Sequence, residues 1–229
     1  VPTVTDYDGN SYSTVTIGSQ TWLTTNLVVK SLSTGVKLQE IEGPQFDSLK
    51  GDGSFLELDS RTNHNESIPW KEMWAKGKVP ACCWPENNKK ALSAYGMLYN
   101  YAAVAAGLGV PSGYRVATLT DWETLITTAG GLAAAGGYLK GTGTTYWLTP
   151  NTGAADTGSF TALPAGFRDA DGTFYRRTKS ALFWTATANT GSYWDRGFAN
   201  SMLMVYDSAA LQKITSLISC GLSVRCVHT

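Results

Sequence analysis

The sequence lacks net charge: Lys plus Arg and Asp plus Glu both number 18. Such a balance gives no long-range pull toward nucleic acid or an anionic bilayer, and no basic cluster interleaved with aromatics interrupts it. Histidine is nearly absent, with two residues. His64 lies in the loop-like "TNHNES" and His228 is penultimate, so neither is set against a nucleophile as a triad base. Long apolar runs are missing too. "YAAVAAGLGV" is about half of the roughly 20 residues a membrane span needs. With no charged-then-apolar leader at Val1, the chain as given reads as soluble, without direct membrane insertion, which leaves open a signal or lipoprotein anchor that has been removed. The four cysteines, Cys82, Cys83, Cys220 and Cys226, have no zinc spacing; either one or two disulfides form, or the thiols are buried and free. Gly-x-Ser-x-Gly, a phosphate-cradling loop and His-Glu-x-x-His are all absent, and no carboxylate spacing points to a glycosidase.

What is present is a globular composition: 43% hydrophobic and 16% charged residues, with eight tryptophans, eleven tyrosines and 24 glycines over 229 positions. That length buries a sizeable core. The start alternates polar and apolar residues around Asp8-Gly9, predicting a hairpin of strands near Thr3 to Tyr7 and Tyr12 to Ile17. From about residue 30 to 80 the pattern weakens, "SIPWKEMWAKGK" reading as a short amphipathic helical turn, and the stretch is taken as an insertion. "SAYGMLYNYAAVAAGLG" predicts a helix with Met97, Leu98, Tyr101, Ala105 and Leu108 on one face. "TLTDWETLITTAGG" predicts another, capped by Thr120 with Glu123, striped by Trp122, Leu125 and Ile126 and closed by Gly130. Beyond it the chain turns glycine-rich and strand-like, with a hairpin about Asp171-Gly172 and a strand at "ALFWTATA". Trp22, Trp122 and Trp184 are assigned to the core. Strands, two helices, then short strands make an α+β chain rather than a βαβ alternation, and no internal repeat is visible.

Six blocks, "DYDGNSYSTVTIGSQTWLTTNL", "YGMLYNYAA", "PSGYRVATLTDWETL", "ALPAGFRDADGTFY", "FWTATA" and "GLSVRCV", occur in the order that resembles the Fibrobacter succinogenes major paralogous domain family. The resemblance runs from about Asp6 to Val227. It implies a single C-type-lectin-like domain over 1–229: two helices flanking a small, twisted, mostly antiparallel sheet, the first and last strands pairing, with the insertion in the N-terminal half. The family's usual cysteine before the "PSG" block is Val110 here, and another near "NN" is missing, so the resemblance assigns no disulfide.

That family includes variable proteins of diversity-generating retroelements, ligand-binding proteins whose C-terminal segment is rewritten at adenines. Rewritten AAC or AAT codons cannot encode Met, Trp, Lys, Gln or Glu. Between Tyr193 and Asp207 every odd position is writable, whereas Trp194, Met202 and Met204, all even, are not. Successive strand side chains face opposite ways, so the split fits one constant and one diversified face. The resemblance therefore implies a variable segment over about 189–220 and a contact face of Tyr193, Asp195, Gly197, Ala199, Ser201, Leu203 and Asp207. Asn189, Tyr206, Ser208, Thr215, Ser216 and Ser219 are its neighbours. It implies no enzyme activity, cofactor or metal, and a protein or glycan ligand on a cell or phage surface, which locates the chain at an extracellular surface or virion. The bland reading of "NSMLMVYDSAAL" is a core strand with an untidy loop, and the alternative function is a fixed-specificity adhesion or structural module.

Two chemistries of related folds fit less well. Calcium lectins use Glu-Pro-Asn and Trp-Asn-Asp oxygens; "WPENN" has the wrong order, "YWDRG" lacks the asparagine, and the paired aspartates of "DADG" and "DYDG" read as turns. A formylglycine-generating-like copper oxidase would need a cysteine pair, for which Cys220 and Cys226 are the candidates. "NES" at Asn65 has the form of a glycosylation sequon.

Overall fold

The computed structural model describes residues 2–41, 79–187 and 197–229, with the backbone of two short paired strands, β5 (Phe55–Leu56) and β6 (Ser67–Ile68). The architecture is mixed, mostly short strands with few helices. One sheet joins the two ends of the chain. Strands β1 (Thr3–Thr5), β2 (Ser11–Ile17) and β3 (Gln20–Leu23) form a meander, and β3 pairs with the last strand, β15 (Cys226–His228), through Trp22 and Val227. Strand β9 (Tyr114–Val116) closes that five-stranded antiparallel sheet on the far side of β15. The Asp8-Gly9 hairpin forms as the sequence predicts. Asp6 organises it, accepting from the backbone of Asp8 and Asn10 and, at 2.6 Å, from the Tyr12 hydroxyl.

A second, three-stranded antiparallel sheet comprises β12 (Ser180–Trp184), β13 (Phe198–Val205) and β14 (Leu211–Leu217), with β13 in the middle. A third places β4 (Gln39–Ile41) parallel to β7 (Ala81–Cys83), which pairs with β8 (Leu98–Tyr99). The Asp171-Gly172 hairpin joins β10 (Phe167–Arg168) to β11 (Phe174–Tyr175). Residues 221–223 stitch these pieces together: Gly221 bridges to Arg168, Leu222 to Tyr99 and Ser223 to Phe183.

The residues 93–109 do not form one helix. Gly96 takes φ +74° with its α-carbon against Asn26, where a Cβ would lie 2.5 Å from the Asn26 Cβ. Leu98 and Tyr99 then pair with Cys83 and Cys82 as β8, and only the short helix α2 (Tyr101–Ala105), capped by Asn100, remains, following α1 (Lys89–Leu92). The apolar spacing there serves a buried strand and a helical turn in succession, and backbone pairing overrides the 3.6 period. Helix α3 (Leu119–Thr128) forms with the predicted stripe of Trp122, Leu125 and Ile126 buried, but its cap is Thr118 with Asp121 rather than Thr120 with Glu123. The sequence predicts no helix over "LAAAGGYL", yet α4 (Leu132–Leu139) forms there. Its Gly136 and Gly137 let it meet the turn at Ala209–Ala210 at backbone distance: a Cβ on Gly136 would lie 2.3 Å from the Ala210 carbonyl oxygen. The turn predicted in "SIPWKEMWAKGK" falls largely outside the described residues.

Two main apolar cores result. The first gathers Tyr12, Leu27, Cys82, Met97, Tyr99, Tyr101, Leu182, Trp184 and Leu222. The second is aromatic at its centre, where Trp22, Trp122, Phe160 and Phe183 meet with ring centroids 5.3 to 6.2 Å apart. Trp22, Trp122 and Trp184 are all fully buried. Arg225 is buried among these rings; it donates to the Asn26 side chain and to the carbonyls of Leu23, Phe160 and Thr161, and stacks on Phe160 at 4.3 Å. Burial pulls its pKa down to about 9.

Candidate ligand-binding surface

Because β13 is a middle strand, its two faces meet different surroundings, and the side chains divide between them at period two. Met202 and Met204 are fully buried in the second core with Leu211, the partner of Met204 on β14. Leu203 points to the opposite face, between Leu182 on β12 and Gln212 on β14, half-buried against the first core. Val205 is half-buried on that same face and Asp207, just past the strand, is exposed. The alternation of buried methionines with odd positions that reach the surface therefore holds from Met202 to Asp207.

It does not hold upstream. Ala199 and Ser201, odd positions of the expected contact face, have no exposed surface. They are removed from the contact face, for a tertiary reason. Ser201 pairs with Trp184, which is packed edge-on against Tyr101 with its indole nitrogen donating to the Tyr99 carbonyl at 2.7 Å. Ser201 and Ser216 hydroxyls hydrogen-bond at 2.8 Å across the strands, and Ala199 sits in the first core. Ser219 is buried as well and is likewise removed. Gly197 is half-buried at φ +76°, and its carbonyl accepts from the Ile218 amide, so its contribution is a backbone turn into β13. Asn189, Tyr193 and Asp195 lie outside the described residues.

The other candidates divide between the two ends of the β13–β14 hairpin, Tyr206 and Ser208 at its turn and Thr215 and Ser216 farther along β14, opposite Asn200 and Ala199. Tyr206 is half-buried beside the second core, Ser208 is half-buried, Thr215 exposed and Ser216 half-buried. Sequence reasoning missed the apolar members: Ile214 and Ile218 are half-buried against the first core, and Leu217 is 38% exposed opposite the half-buried Phe198. Their only sequence signal is the alternation of "LQKITSL". Exposed Gln212 and Lys213 border the surface, and Lys213 pairs with Glu123 of α3 at 3.0 Å.

Beneath the rim at the β13–β14 turn lies a cation that sequence reasoning also missed. Lys140, fully buried at the end of α4, donates to the carbonyls of Thr152 (3.0 Å), Val205 (3.0 Å) and Ser208 (2.9 Å), and lies over the Trp147 ring. It pins the turn that ends β13. Burial lowers its pKa to about 8, and the nearby Asp207 carboxylate opposes that shift.

The profile of the Fibrobacter succinogenes major domain matches residues 15–228. The chain belongs to this family. No curated protein and no solved structure matches it.

In this family member all four cysteines are free and buried. Val110, where the resemblance leads one to look for a partner, packs half-buried against the first core. Burial raises the Cys220 thiol to about 12, with Asp169, to which it donates at 3.7 Å, adding to the effect; burial also raises Cys226 well above the thiol range. Both are held as thiols, whereas a soft metal takes the thiolate. Among the described residues no group of three or more His, Cys, Asp or Glu is placed to hold a metal ion, and no helix is long and apolar enough to cross a membrane. His228 is exposed, edge-on to Tyr114.

Proposed function

We propose that this protein is a non-enzymatic binding protein: a C-type-lectin-like scaffold of a diversity-generating retroelement that presents the segment near 189–220 to a protein or glycan on a cell or phage surface. One observation carries the reading. On β13, Met202 and Met204, which adenine-directed rewriting cannot produce, have no exposed surface, while the writable Leu203, Val205 and Asp207 reach the surface; the exposed Gln212 and Lys213 of β14, equally unreachable, are then fixed residues. With half-buried Ile214, Ser216 and Ile218 and exposed Gln212, the writable three offer an apolar centre with a polar border, the arrangement that excludes water from a contact. Sequencing the locus tests it. A neighbouring reverse transcriptase gene with a template repeat that differs from codons 189–220 only at adenines is the expected result; an invariant segment with no such repeat defeats it.

A second reading, a fixed-specificity adhesion or structural module, has its own support. Ala199 and Ser201 are buried and Gly197 holds a left-handed turn, so rewriting those positions would damage the fold rather than change the ligand. Thermal melts separate the two. Under the first reading, substituting Leu203, Val205, Asp207 and Thr215 together leaves the melting temperature within a few degrees; a collapse favours the second.

A further inference from the structure

An open cleft of about 460 Å³ is lined by Glu86, Phe174, Tyr175, Arg176, Arg177 and Lys179, and it adjoins the C-terminal segment through the backbone, the Tyr206 amide donating to the Lys179 carbonyl. None of these residues lies in 189–220, so the cleft keeps its shape and charge whether or not that segment is diversified.

The charges in the cleft are unbalanced. Arg177 is committed: its Nε donates to Glu86 at 2.5 Å, and its side chain also hydrogen-bonds Tyr95. That pair neutralises the one carboxylate of the lining. Arg176 and Lys179, both exposed, have no ion pair among the described residues. Beside them Tyr175 is 44% exposed, its ring stacked on Phe167 at 5.6 Å. Two cations without an ion pair among the described residues and an exposed aromatic ring thus share one cleft lining.

The backbone is strained there. Arg176 and Thr178 adopt φ of +60° and +66°, and Glu86 and Asn87 on the facing wall both adopt +51°. This conformation is unfavourable for non-glycine residues, and such strain gathers where a surface is shaped for contact. The loop is rigid rather than loose. The Arg176 carbonyl accepts from the amides of Lys179 and Ser180, Thr178 exchanges backbone bonds with Pro164 and Leu148, and a Cβ on Gly166 would lie 2.1 Å from the Tyr175 carbonyl oxygen.

The geometry points to a binding subsite for a carboxylate-bearing saccharide of the uronate type. A pyranose ring lays its C–H face on the exposed Tyr175 ring, and its carboxylate takes the charge-assisted hydrogen bonds of Arg176 and Lys179. A bare phosphate or sulfate would use the cations and leave the aromatic face without a role. The cleft's openness suits a chain that passes through rather than a metabolite that must be enclosed.

Titration calorimetry of the full chain at low salt with trigalacturonate, its neutral galactose counterpart and a hexa-aspartate peptide tests this. Trigalacturonate binds and the neutral sugar does not. The double variant Arg176→Gln with Lys179→Gln weakens binding about tenfold or more, Tyr175→Ala weakens it, and Tyr175→Phe retains it. Rising salt weakens it in the unmodified protein, a readout that needs no variant to fold. No uronate binding, equal binding of the neutral sugar, binding indifferent to salt, or a peptide that binds more tightly than the uronate each overturns the assignment.

Discussion

The two ends of the β12–β13–β14 sheet are built from the same strands but meet different neighbours. At the Met202–Leu211 end, helices α3 and α4 cover the even face of β13, and Met202 and Met204 vanish into an aromatic core. At the Phe198–Leu217 end that face opens: Phe198 and Asn200 are half-buried, Thr215 and Leu217 exposed, and the burial has moved to Ala199 and Ser201 on the other face. One strand thus changes its buried face midway. Alternation decides which residues share a face, and only the covering elements decide which face is dry.

The largest effect on this contrast is expected from Met202→Ala. At the covered end it should cost about 2–5 kcal/mol, because a fully buried methionine leaves a cavity that its neighbours fill only in part; urea unfolding measures it. A loss under about 0.5 kcal/mol would mean that the helices do not hold that face. Ser201→Ala at the crossover should cost about 1 kcal/mol through the lost hydrogen bond to Ser216. Leu217→Ser at the open end should change stability by no more than about 0.5 kcal/mol, and a larger loss would show that this end is covered in solution.

Lys140 adds a pH axis to the covered end. Its pKa is lowered to about 8 in the folded state, so between there and the ordinary lysine value the unfolded chain binds more protons. Its contribution to stability therefore rises with pH across that window and is flat below it. The measurable quantity is the stability of the unmodified protein relative to Lys140→Met, followed from pH 7 to about 10.5; a difference that falls instead would reverse the sign of the shift.

Much of the local structure was legible. Asp8-Gly9 and Asp171-Gly172 form their hairpins because the turn chemistry is contained in two residues. The stripe of Trp122, Leu125 and Ile126 buries as its spacing predicts. Residues 93–109 misled because Met97, Leu98 and Tyr101 fit a helix period, while the pairing of Leu98 and Tyr99 with Cys83 and Cys82 is a contact the local pattern does not contain. Helix α4 was hidden by Gly136 and Gly137, which look like breakers and serve as a close-packing surface against Ala210. Of the candidate site, the burial of Met202 and Met204 was readable; the burial of Ala199 and Ser201 was not, since it depends on Trp184, Tyr101 and Ser216, brought near from elsewhere in the chain.

The order and spacing of neighbouring residues were enough for the family, the paired hairpins and the period-two division of β13, because each of these is a local property of the chain. Which half of each face stays exposed, where Lys140 anchors the rim, and that Arg176 and Lys179 stand beside Tyr175 without a carboxylate partner among the described residues were fixed only on folding. Those outcomes depend on long-range packing and on the desolvation it imposes, and neither is written in the local pattern.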